Sequence, residues 1–297
     1  MISYSKVPDI FCLIDEFCKE YDQIVDKALL GNPSKRPITI SKSEVIPITV
    51  LFHLGGFRCF KHFYIHYLQK HMQDEFSKTV SYNRFTERMQ ENLMPMVLFL
   101  KTGCLGHCTG ISLIDSKPIR VCHNKRNKHN KVFKGMATTS KSTMGWFDGF
   151  KRHLVINDKG EILNFCITQA NVEARKPLNE KSFIRKLYGK RYADNGYIDK
   201  KLVKGLFTDG IHLITQIKNN MKNSLMTLAD KVLLRKRAII ETVNEELKNS
   251  CQIEHSRHRS FGNLLTHLIS ELIAYRFLPK KPSIKYQTLN SNQIWLF

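Results

Sequence analysis

The sequence predicts a mixed α/β sheet flanked by helices and preceded by an all-helical N-terminal region. Three observations predict it. Up to about residue 105 apolar residues recur at spacings of three and four. From about 110 to 217 they gather in short β-branched runs bounded by turn residues. Beyond 228 the helical spacing returns, so strands come first and covering helices follow.

Taken in order, residues 7–30 carry Ile10, Phe11, Ile14, Phe17, Tyr21 and Ile24 along one expected helix face. Residues 51–71 form a second helical stretch, rich in aromatics and studded with Arg58, Lys61 and Lys70. Ser81 is placed to cap a third helix. A basic, aromatic helical region suits DNA binding; a helical bundle with solvated cations is the plainer alternative. In the second region, 110–116 reads as a short strand ending at Asp115. The Asn157-Asp-Lys-Gly160 turn separates two strands, 153–156 and 162–167. Further strands are expected at 189–197 and 210–217. A single helix follows over 228–248, with Val232, Ile239, Val243 and Leu247 on one face. A last helix over 261–277 stops before Pro279 and Pro282. The expected division is 1–105 helical, 106–286 α/β, and 287–297 a tail.

Of 297 residues 42% are hydrophobic and 25% charged, which excludes a disordered tail, a collagen or a mucin. Lys and Arg number 47 against 26 Asp and Glu, a formal charge of +21. Such an excess makes a chain repel itself, so a polyanionic partner is expected. The most apolar run, 46–54, is broken by Pro47 and His53 and is far shorter than the roughly 20 residues a membrane-spanning helix needs. The N-terminus lacks the basic start and apolar core of a signal peptide, so the eight cysteines are expected to be reduced thiols in a cytosolic compartment. Nucleic acid is the partner that remains.

Three acids stand out by position. Asp115 is placed at a strand end, where side chains project into the crevice of an open α/β sheet. Asp194 precedes Asn195-Gly196, a sharp exit from a strand, and Glu241 sits mid-helix. Carboxylates from separate elements suit a hard divalent cation, and two such cations suit phosphodiester chemistry. Each acid alone has an ordinary reading as a turn former or solvated charge. Asp199 and Asp209 are rivals to Asp194, and Asp158 is assigned to the hairpin turn. Arg237, Glu241 and Lys248, at spacings of four and seven, share one helix face.

Between Asp115 and His153 ten basic residues, Lys117, Arg120, Lys125, Arg126, Lys128, Lys131, Lys134, Lys141, Lys151 and Arg152, face only Asp115 and Asp148. Such a block would track a DNA backbone. A competing zinc reading rests on Cys104, His107, Cys108, Cys122 and His123, but only one cysteine pair has the spacing of a zinc knuckle. No glycine-rich phosphate loop of either common type is present.

These residues bear a resemblance to a known family. Leu113-Ile-Asp-Ser-Lys-Pro-Ile-Arg-Val-Cys122, Lys141-Ser-Thr-Met-Gly-Trp-Phe-Asp-Gly-Phe-Lys151, Ala193-Asp-Asn-Gly-Tyr-Ile198 and the 233–248 segment resemble DDE transposases of bacterial insertion sequences, most closely the insertion sequence 982 family. The Tyr-x2-Arg-x3-Glu-x6-Lys signature of the related insertion sequence 4 group is kept at Arg237, Glu241 and Lys248, with Leu234 at the tyrosine position. The resemblance implies a ribonuclease-H-like core in which Asp115, Asp194 and Glu241 hold two Mg²⁺ ions, for which Mn²⁺ can substitute. Asp115 would bridge both ions, and Arg237 and Lys248 would contact the DNA end. It also implies cleavage at terminal inverted repeats and strand transfer into target DNA, by a homodimer in the nucleoid of a bacterial cytoplasm. A non-catalytic DNA-binding derivative of such an element is the alternative.

Overall fold

The computed structural model describes residues 6–28, 39–122, 124–142, 145–216, 226–249 and 258–285. Helix α1 (Val7–Ala28) buries Val7, Ile10, Ile14 and Cys18, while Ile24, expected on the same face, is exposed. A periodic stripe is buried only where a partner covers it. The apolar run becomes α2 (Lys42–Leu54), buried on nearly every side from Val45 to His53. The Glu44 carboxylate starts it by accepting from the Ser41 backbone N–H at 2.8 Å.

The single helix expected over 51–71 is two. Gly55 and Gly56 end α2, with Gly56 at φ +68°. The chain then re-enters a helix at α3 (Phe60–His62), which runs through a π-helical Phe63–Leu68 into α4 (Gln69–His71). Phe60, Phe63 and Tyr64 turn inward, leaving Arg58, Lys61 and Lys70 exposed. Ser81 caps α5 (Tyr82–Glu91) by accepting from Arg84 N, and α6 (Leu93–Phe99) follows.

Six strands form one sheet: β1 (Ile111–Cys122), β2 (Thr138–Ser142), β3 (Gly145–Asn157), β4 (Ile162–Gln169), β5 (Gly189–Ala193) and β6 (Ile211–Thr215). One edge of β3 takes β1 antiparallel; the other takes β2 against its first residues and β4 against its later ones. Beyond β1, β5 and then β6 run parallel. The β3–β4 hairpin turns where expected. Gly160 there has φ +73°, and a Cβ on it would lie 2.0 Å from the Pro282 carbonyl oxygen. Short α7 (Lys181–Ile184) precedes β5, and α8 (Lys200–Thr208) makes the β5–β6 crossover. Then come α9 (Leu228–Lys236), α10 (Ala238–Asn249) and α11 (Phe261–Arg276). Antiparallel strands followed by parallel ones joined through a helix give a ribonuclease-H-like sheet.

Strand alternation divides the core. Leu113, Leu154, Ile156, Tyr192 and Ile214 face α10, α11 and the N-terminal helices in one continuous apolar cluster. Ile114, Val155, Ala193 and Leu213 face α7 and α8 in another. The change near residue 105 is thus one of secondary structure and not a break in packing. Among the described residues no helix is long and apolar enough to cross a membrane.

Two expectations need correction because tertiary pairing overrides local pattern. Strand β1 does not end at Asp115. It continues to Cys122 because β3 pairs with it over that whole length. The helix expected over 228–248 breaks at Arg237, where the backbone tightens to i+3 bonds, Arg237 N to Leu234 O at 3.3 Å and Ile240 N to Arg237 O at 3.0 Å. The break serves two anchors. Asp230 ties α9 to β5 by accepting from Lys190 Nζ at 2.8 Å and Tyr192 OH at 2.7 Å, while Ile240, Val243 and Leu247 of α10 pack on the sheet. Val232, expected in the buried stripe, is exposed as a result.

Candidate active site

The β1–β5 ladder pairs Ile111 with Lys190, Ser112 with Arg191 and Leu113 with Tyr192, and there it stops. Two residues further along each strand stand Asp115 and Asp194. By alternation both fall on the face that Leu113 and Tyr192 share, the face covered by α10. Beyond the last pair the strands part: β1 stays with β3, and the chain at Asp194 turns away into Asn195–Tyr197, with its carboxylate accepting from Asn195 N at 2.8 Å. The two acids thus lie just past the carboxyl end of the β1–β5 pairing, the usual site location in open α/β sheets.

Helix α10 brings the third. Arg237 Nη2 lies 3.5 Å from Glu241 Oε1 and 3.8 Å from Asp194 Oδ1, so one guanidinium nitrogen joins acids from separate elements. One turn beyond Glu241, the amide of Asn244 donates to Asp115 Oδ2 at 3.1 Å. The other oxygen of Asp115 accepts from Ser116 N at 2.8 Å, and Lys117 Nζ stands 3.5 Å from Oδ2. Burial pushes the Asp115 carboxyl above its usual range, against the pull of Lys117, the Ser116 N–H and Arg237. Burial also raises the phenol of Tyr197, which sits near Asp115 and Asp194. Asp194 and Glu241 are about half exposed, with side-chain exposures of 55% and 51% against 15% for Asp115. The site thus has one sunken acid and two at its mouth.

Among the described residues no group of three His, Cys, Asp or Glu side chains is close enough to hold a metal ion. The tight three-acid convergence expected from sequence is not formed among the described residues; Arg237 Nη2 instead lies within 3.8 Å of both Asp194 and Glu241. The donor chemistry nonetheless fits a hard divalent cation: carboxylate oxygens only, one of them on a buried acid that a positive charge would favour in its ionised form.

Asp199 and Asp209 do not reach the site. Asp199 caps α8, accepting from Lys201 N at 2.8 Å, and pairs with Arg175 at 3.4 Å; Asp209 ends α8 in solvent. Asp158 lies in the hairpin turn and accepts from Thr109 Oγ1 at 2.6 Å. Lys248 is half-buried near the far end of α10.

The basic block divides. Arg120, Lys125, Arg126 and Lys141 are exposed, and Lys117 is partly so. Lys151 is half-buried and donates to Val172 O at 2.8 Å. Arg152, counted with the block from sequence, is buried against Glu271 and leaves it. The zinc ligands disperse. Cys122 donates to Asp148 Oδ2 and Cys108 to Tyr188 O, each at 3.5 Å, and Cys104 is buried; His123 lies outside the described residues.

Sequence reasoning missed Asn244, Arg152 and Glu271. The one signal available was Glu271 itself, a lone acid within the apolar Leu268-Ile-Ser-Glu-Leu-Ile273.

A family model described as a transposase DDE domain matches residues 105–261, more than half of the chain. No curated protein matches. Among solved structures, the crystal structure of the Mos1 strand transfer complex matches at 12% identity, over 88% of this chain and 86% of that one. Its TM-score of 0.25 is too low to carry an argument.

Proposed function

The chain belongs to the DDE transposase domain family, and we propose that it is a DNA transposase in which Asp115, Asp194 and Glu241 hold two Mg²⁺ ions. The observation that supports this reading is the register of β1 and β5, in which Asp115 and Asp194 each follow the last paired residue by two positions, with Arg237 3.8 Å from Asp194 and 3.5 Å from Glu241. When bound, the ions would activate the attacking oxygen and neutralise charge on the departing one during cleavage at the element's terminal inverted repeats and strand transfer into target DNA. Arg237 would release its carboxylates to the ions and turn to a phosphate, a bidentate acceptor that suits a guanidinium. Lys248 would grip the same DNA end.

Exposed Lys117, Lys125, Arg126 and Lys141 would track the duplex backbone, with Lys151 at its margin. Arg58, Lys61 and Lys70 would extend that track across the N-terminal helices. Pairing two ends calls for a homodimer. The insertion sequence 982 motifs support a bacterial mobile element acting in the cytoplasm at the nucleoid.

The test is Glu241→Gln, assayed on a duplex carrying the repeats that flank the reading frame. Cleavage with Mg²⁺ should fall on the order of 10³-fold with DNA binding kept. Unchanged cleavage overturns the metal-site reading. The intervening Arg237 supports a second reading, a non-catalytic DNA-binding derivative; a parent protein that binds the ends and never cleaves, with Mg²⁺ or Mn²⁺, would establish it.

A further inference from the structure

Behind Asp115 runs a buried polar chain that spans 129 residues of sequence in its longest step. Glu271 on α11, fully buried, accepts from Arg152 Nη1 at 2.8 Å. Arg152 Nη2, on β3, donates to Asn244 Oδ1 at 3.1 Å, and Asn244 Nδ2 donates to Asp115 Oδ2 at 3.1 Å. The order of atoms is forced. A guanidinium offers only donors and an ionised carboxylate only acceptors, so the amide between them has one possible orientation. Its oxygen meets Arg152 and its nitrogen meets Asp115.

A buried ion pair is weak as a source of stability, since desolvating two charges offsets most of their attraction. What this pair does achieve is directional. Glu271 fixes Arg152, Arg152 fixes the Asn244 amide, and the amide fixes one oxygen of Asp115 while the Ser116 N–H holds the other. We infer that Arg152, Glu271 and Asn244 are positioning residues that aim the Asp115 carboxylate at its divalent cation. This rests on the transposase reading of Asp115.

The experiment compares Asn244→Leu with the double replacement Arg152→Met, Glu271→Leu, which removes both buried charges together. Three quantities are read: melting temperature, Mn²⁺ binding by electron paramagnetic resonance, and cleavage of end DNA. The double variant should melt near the parent temperature and Asn244→Leu somewhat below it, because Arg152 Nη2 loses its acceptor, and both should bind DNA with parent affinity. Mn²⁺ affinity and the turnover rate should each fall about 10- to 100-fold, with KM for DNA unchanged, as expected when the orientation of a metal-bound carboxylate is lost. Parent-like Mn²⁺ affinity and turnover in Asn244→Leu overturns the inference, whether or not the double variant folds. Asp115→Asn separates the two readings. If it is inactive while Asn244→Leu behaves as parent, only the positioning role fails; if it cleaves normally, the transposase site itself fails.

Discussion

Arg152 and Arg191 are both buried, both on strands of one sheet, and on opposite faces of it. Arg152 looks toward α10 and α11, meets Glu271 and Asn244, and through them reaches Asp115. Arg191 looks the other way. Its Nε donates to Ser112 Oγ at 3.2 Å, while Nη1 and Nη2 find no partner among the described residues. Burial pulls its pKa down to about 10. The same side chain is an oriented part of a site on one face and an uncompensated charge on the other. Partnership, and not burial, separates the two.

That contrast can be broken by mutation. The largest effect is expected from Glu271→Ala, which leaves the Arg152 charge buried and alone; a loss of about 3–5 kcal/mol should appear as a depressed denaturant midpoint. Arg191→Met should carry the opposite sign. Removing a buried charge that has only a hydroxyl for company should stabilise by about 1–4 kcal/mol, measured by the same unfolding titration. A destabilised Arg191→Met protein would mean that the two faces are alike.

The Arg191 face carries a second device-free polar group, His153, fully buried with Nε2 2.9 Å from Thr168 Oγ1. Burial, with help from Lys151, lowers its pKa to about 4. Because the folded value is depressed, the unfolded chain takes up the proton first as pH falls. Stability is therefore complete above the unfolded pKa of roughly 6.5 and is lost progressively down to about pH 4, by up to about 3 kcal/mol. His258, lowered by burial to about 4, and His267, held well below the usual range by burial and by the neighbouring His53, act in the same sense on the other face. Melting curves from pH 7 to 4 should show the decline, and His153→Gln should flatten part of it.

The smallest effects belong to the surface cations. Lys141→Ala or Arg126→Ala should each lower the salt slope of DNA binding by about 0.9, whereas Lys151→Ala, already bonded to Val172 O, should change it less. Titrations at several salt concentrations distinguish them.

The same contrast explains how far the sequence could be read. Helices α1, α5 and α11, the β3–β4 hairpin and strands β5 and β6 were legible because each is set by local periodicity, a cap or a turn. Asp194 directly follows its strand, as read, whereas Glu241, read as mid-helix, stands in the first turn of α10. The run-on of β1, the break at Arg237 and the divided helix at Gly55 were not legible, since distant pairing decides the first two and the third was a glycine pair inside an otherwise apolar stretch. Arg152 was read as one more surface cation. Nothing within β3 distinguishes it from Lys151; its partner lies on the last helix.

The salt link from Arg237 to Asp194 and Glu241 has a consequence for how such a chain endures in a cell. Two like charges brought to one mouth would otherwise push their strand and helix apart whenever ions are scarce. With the Arg237 guanidinium already in place one of the two negative charges is offset, and on the transposase reading proposed above chelation should silence the chemistry while leaving the folded state intact.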